Sequence, residues 1–118
     1  MKLSYKLLVL AAAVVSIVLG FHYMGMLSGK RDKIVDDCIK LCKEKKAAGI
    51  DLSNGPCLSD DEPRWKHTDW VCDVAHWPRK PVDDKIENQC NEWWEAHLAG
   101  KEIHFVEVDP NCRFIRVG

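Results

Sequence analysis

Hydrophobic positions run almost unbroken from Leu7 to Leu27, then settle into helical and strand periods for the rest of the chain. The first run holds no charged residue, and apart from Ser16 only His22 and Tyr23 interrupt it, near its far end. Its 21 residues match the roughly 20 that a helix needs to cross a bilayer. With the basic leader Met1–Lys6 before it, the run predicts an uncleaved signal anchor whose partner is the lipid bilayer through residues 7–27. A second reading uses only Leu7–Leu19, apolar except for Ser16, as a signal peptide cut near Val18-Leu19-Gly20. The chain would then be secreted.

Beyond the run, Ile34, Val35, Cys38, Leu41 and Cys42 fall on one helical stripe, which predicts a helix over 30–48. Gly49 is a left-handed stop with Ile50 after it, and Ser28-Gly29 can hinge this helix to the anchor. Residues 51–68 carry Asn54-Gly55-Pro56, an acidic run and Pro63, which is loop chemistry. Trp70, Val71, Cys72 and Val74 predict a strand over 69–75, broken off by Trp77-Pro78-Arg79-Lys80-Pro81. Ile86, Cys90, Trp93, Trp94 and His97 form the stripe of a second helix over 82–98, ended by Gly100. Two strands, 103–108 and 113–117, flank Asp109-Pro110-Asn111 as a hairpin. The predicted architecture is a transmembrane or signal-anchor helix over 1–29, then a small disulfide-rich α+β domain over 30–118. In that domain two helices pack on a short antiparallel sheet that ends in the hairpin.

Cysteine usage sets the compartment. Cys38, Cys42, Cys57, Cys72, Cys90 and Cys112 all lie in the last 89 residues, a length at which a hydrophobic core alone gives a thin margin. An even count in a short exported segment implies three disulfides, and six cysteines allow 15 pairings. A reduced cytosolic or zinc-bound set is the competing reading, but no Cys-x-x-Cys pair occurs. Cys38 and Cys42 stand one helical turn apart, with side-chain carbons about 6 Å from each other, too far for a good mutual bond. Each should bridge to a different segment. The flanking charges leave orientation open, so the cysteines decide it: short N-terminus inside, domain in the oxidising extracytoplasmic space.

The domain carries 15 basic and 18 acidic residues, which argues against a nucleic-acid surface. No glycosylation acceptor occurs, and no motif calls for a cofactor. Imidazole and carboxylate neighbours, Asp73 with His76, His104 with Glu107, and His67 with Asp69, suit a divalent transition metal if the hairpin brings His76, His104 and Glu107 together. Otherwise each histidine makes a local hydrogen bond. The segment His104-Phe105-Val106-Glu107-Val108 resembles the histidine strand of transglutaminase-like cysteine hydrolases. That resemblance implies Cys90 as nucleophile, His104 as its base, and an Asp or Asn on the next strand to orient the base. The chain departs from the pattern in three ways. Only 14 residues separate Cys90 from His104, Cys90 falls inside the predicted helix, and residues 113–117 contain no Asp or Asn. Five tryptophans are a heavy load, and most should be buried, leaving Trp65 or Trp77 exposed. With Arg79 these two form the expected binding surface for a protein or glycan partner. The favoured function is a membrane-anchored, non-enzymatic binding or envelope-structural module. The alternative is a small enzyme or metal protein built on His76 and His104.

Overall fold

A computed structural model describes residues 2–118, with side chains at 6, 9–26 and 28–118. The chain forms a long helix, a strand, two 3-10 turns, a short helix and two further strands, and is α+β. It divides into two compact units, Met1–Lys33 and Ile34–Gly118. Helix α1 spans Lys2–Ala47 and passes through Ser28-Gly29 without a break. Met1 of the leader, and the side chains of Leu7, Leu8 and Leu27 in the apolar run, lie outside the described residues.

In the first unit every described side chain from Val9 to Lys33 is exposed. The helix is long and apolar enough to cross a membrane by length and composition, and none of its most apolar 18-residue window is buried.

In the second unit α1 buries Ile34, Cys38, Leu41 and Cys42, the i, i+4, i+7, i+8 stripe of its sequence. They pack with Leu52, Leu58, Cys72, Val74, Val106, Val108 and Cys112. The helix ends in a Schellman motif. Gly49 takes φ +86°, its N–H reaches Lys46 O at 3.0 Å, and the Ile50 N–H reaches Lys45 O at 3.2 Å.

Strands β1 (Trp70–Val74), β2 (His104–Val108) and β3 (Phe114–Val117) form one sheet in that order. β2 and β3 pair antiparallel, as a hairpin requires, but β1 and β2 run parallel, with Asp73 beside Glu107. The expectation of an all-antiparallel sheet is therefore corrected to a mixed one. Between β1 and β2 the chain makes a crossover through residues 75–103, and a connection of that length returns it to the same end of the sheet.

The crossover also corrects the helix expected over 82–98. It holds two 3-10 turns, Pro81–Asp84 and Ile86–Asn88, and only then helix α2, Asn91–Leu98. Asp83 is the cause at the first break. Its carboxylate accepts from the Lys80 N–H at 2.9 Å and the His76 N–H at 3.1 Å, local bonds that compete with helix propagation. At the second break Gln89 and Cys90 are extended, and Cys90 becomes the N-cap of α2 instead of a mid-helix residue.

Three disulfides close the unit: Cys38–Cys72, Cys42–Cys112 and Cys57–Cys90. Cys38 and Cys42 thus bridge to different segments. The Cys42–Cys112 bond spans 70 residues, and a loop of that length should contribute about 4 kcal/mol through the unfolded chain. The double variant Cys42→Ala/Cys112→Ala should lose about that much in urea unfolding of the full chain. An unchanged midpoint would show that packing alone holds α1 to the hairpin.

Candidate functional site

Strand alternation gives the sheet two unlike faces. Cys72, Val74, Val106 and Val108 point into the core under α1. The opposite face presents Val71 and Asp73 from β1, Phe105 and Glu107 from β2, and Arg116 from β3. Together with Arg79, Gln89, Cys90 and Trp93 from the crossover they line a cavity of about 150 Å³.

Two carboxyl groups lie side by side in it with opposite surroundings. Glu107 is 9% exposed in its side chain and is held in a fork by Arg116, with Nε at 3.0 Å and Nη2 at 3.2 Å. Arg79 Nη1 adds a third contact at 3.5 Å, while its Nε is committed to Asp84 at 2.8 Å. The Arg116 guanidinium lies 5.1 Å from the centre of the Phe105 ring, within cation–π range. Asp73 has no such support. Its Oδ1 is, among the described residues, the one buried side-chain oxygen or nitrogen that finds no hydrogen-bond partner. Burial first, and the negative charge of Glu107 second, push the Asp73 carboxyl up to about 9, against the pull of Arg79 and of the Val74 backbone. At neutral pH it is a carboxylic acid beside an ion-paired carboxylate.

Asp73 also faces the third disulfide. Cys57 forms an isolated antiparallel bridge with Asp73, and an Asp73 carboxyl oxygen lies within 4.8 Å of the sulfurs of both Cys57 and Cys90. This is the one cluster of metal-ligand types among the described residues, but its sulfurs are bonded to each other and are not thiolates.

The residues singled out in the sequence are distributed as follows. His76 Nδ1 meets Asp83 Oδ1 at 2.8 Å, His104 Nε2 meets Glu102 at 3.3 Å, and Glu107 meets the arginines, so the three have separate partners. His104 also lies against Trp70, 4.8 Å between ring centres. His67 pairs with Asp37 at 2.7 Å. Burial pushes Asp83 upward, but the donors from Lys80 and His76 outweigh it and hold the carboxyl below its usual range. Gly55 makes that packing possible, since a Cβ there would lie 2.7 Å from Asp83 Oδ1 and 2.9 Å from Val74 O. Cys90, the nucleophile of the hydrolase resemblance, is bonded to Cys57. Trp65 is half-buried, its indole N–H donating to Trp70 O at 2.8 Å. Trp77 is 75% exposed, and Arg79 turns inward to the cavity.

Sequence reasoning passed over Asp73 as a site in its own right and paired it with His76. The available signal was an acid flanked by Cys72 and Val74 inside an apolar strand.

Unfolded, Asp73 ionises at about 4. Folded, it keeps its proton to about 9. The folded state therefore binds the extra proton between those values, and stability falls as pH rises through that window. Asp73→Asn should stabilise the chain by on the order of 3 kcal/mol at pH 7 and by almost nothing at about pH 4, read by denaturant unfolding. An equal effect at both pH values, or a loss at pH 7, would contradict a buried neutral acid.

No protein family, curated protein or solved structure matches this chain.

Proposed function

We propose that the chain is a membrane-anchored extracytoplasmic module. Residues 7–27 cross the bilayer with the N-terminus inside, and the domain over 30–118 works in the oxidising compartment. The observation that carries this reading is the pairing of two features in one short chain. An apolar 18-residue helical window with none of its described side chains buried precedes a unit in which every cysteine is oxidised. Uncovered apolar surface of that extent is unfavourable in water and favourable in lipid. Three disulfides persist where thiol reductants are scarce.

The domain serves as a binding or envelope module toward a protein or glycan. Its most accessible aromatic is Trp77, in the proline-punctuated segment that leads to Arg79. An exposed indole is the chemistry of an interaction surface.

Membrane fractions of cells expressing the full chain test the reading. The protein should resist alkaline carbonate extraction, its domain should be digested by protease added to the extracytoplasmic side, and its mass before reduction should show no alkylated thiol. Release by carbonate, or six thiols alkylated without reductant, would overturn it.

A further inference from the structure

We propose that Cys57–Cys90 is an exchangeable, redox-active disulfide rather than a third staple, and that Asp73 is the proton donor to its leaving sulfur. The partner is a dithiol. This goes beyond the anchored binding role and rests on the cavity of the second unit alone.

Access separates this bond from the other two. Cys38, Cys42, Cys72 and Cys112 are 0–4% exposed and belong to the hydrophobic core. Cys90 is 3% exposed, but it lines the cavity. Cys57 is the one cysteine of the six that is only half-buried. Cys57 is also outside the hydrophobic core cluster, so it is the sulfur we assign to attack by an incoming thiolate, since exchange depends on access.

The surroundings suit the departure of Cys90. It is the N-cap residue of α2, an eight-residue helix, but its side chain makes no cap hydrogen bond and Asp60 takes the Asn91 N–H, so the departing sulfur needs a proton from elsewhere. Ser59 Oγ accepts from the Cys72 N–H at 3.0 Å, which leaves its own hydrogen for sulfur. It lies 3.6 Å from Cys57 Sγ and 3.9 Å from Cys90 Sγ. Asp73 places a carboxyl oxygen within 4.8 Å of both sulfurs, and its Oδ1 has no hydrogen-bond partner. A buried carboxyl oxygen without a hydrogen-bond partner is costly, and a proton transfer at this bond gives it a use.

The chemistry balances as a two-electron exchange. A thiolate of the dithiol attacks Cys57 Sγ and forms a mixed disulfide, while the Cys57–Cys90 bond breaks. Cys90 Sγ leaves with the electron pair and takes the proton of Asp73, which solvent later replaces. The second thiol loses its proton to water and attacks the mixed disulfide, expelling Cys57 as a thiolate that water protonates. The dithiol ends as a disulfide, and the domain ends with two thiols. Cys38–Cys72 and Cys42–Cys112 stay closed and hold the fold throughout. The charges facing the reaction are Glu107, Arg79 and Arg116 around Asp73, with Asp83 further off, and Asp60 and Glu92 at the start of α2.

The test uses the oxidised full chain in detergent with dithiothreitol as the dithiol. Samples quenched with an alkylating agent during stepwise reduction are mapped by mass spectrometry. Cys57 and Cys90 should be alkylated together before any other cysteine. Simultaneous opening of all three bonds, or an earlier opening of another pair, overturns the proposal. The second arm compares exchange rates of wild type and Asp73→Asn, each divided by the dithiothreitol thiolate concentration. Loss of the proton donor should slow exchange about tenfold or more at pH 7, and the gap should close at about pH 10, where Asp73 has lost its own proton. A slowing of less than about threefold at pH 7, or one that does not depend on pH, removes Asp73 from the step. A purely structural role for Asp73 would move stability and leave that pH-dependent ratio flat.

Discussion

Two cysteines on successive turns of α1 hold the second unit together by bonding in different directions. Cys38 ties the helix to β1 through Cys72, and Cys42 ties it to the turn between β2 and β3 through Cys112. The helix is thereby joined to the edge strand β1 and to the β2–β3 hairpin. The buried side chains between these bonds, chiefly Ile34, Leu41, Val74, Val106 and Val108, are few and small. A core of that size leaves little net stability after chain entropy, so covalent closure of long loops supplies what packing lacks. The turn is shaped to serve the second bond. Cys112 sits at φ +61°, and Asp109 collects the N–H groups of Asn111 and Arg113 at 2.8 and 2.9 Å to hold it there.

Once α1 covers one face of the sheet, the other face is free to be polar. The crossover covers it only in part and leaves the cavity over Val71, Asp73, Phe105 and Glu107. Asp73 and Glu107 are neighbours on parallel strands, yet of the two only Glu107 is hydrogen-bonded to arginines. The difference fixes their states: Glu107 is a forked carboxylate, and Asp73 holds its proton to about 9. The fold tolerates this unfavourable group because the rest of the unit is clamped. The third disulfide lies against the same group, outside the core cluster that contains the other two.

Much of this was legible in one dimension. The apolar run, the α1 stripe with its Gly49 stop, the strand around Cys72 and the C-terminal hairpin follow from periodicity and turn residues, which are local properties. The need for Cys38 and Cys42 to find separate partners follows from helix geometry alone. Trp77 stands exposed between breakers, while Trp65 is drawn in by a carbonyl five residues on.

Tertiary structure decided the rest. The 82–98 segment has helical spacing, but Asp83 is captured by His76 and Lys80, and Cys90 is bonded to Cys57, so only Asn91–Leu98 remains an α-helix. The parallel direction of β1 depends on where the crossover re-enters the sheet, which no short window of residues encodes. Asp73 is an ordinary acid in sequence, and its neutrality comes from burial by distant segments first and from Glu107 on the next strand second. Composition and period determine which residues turn inward. What an inward residue then meets is fixed by contacts between distant segments, because solvation and charge act through space rather than along the chain.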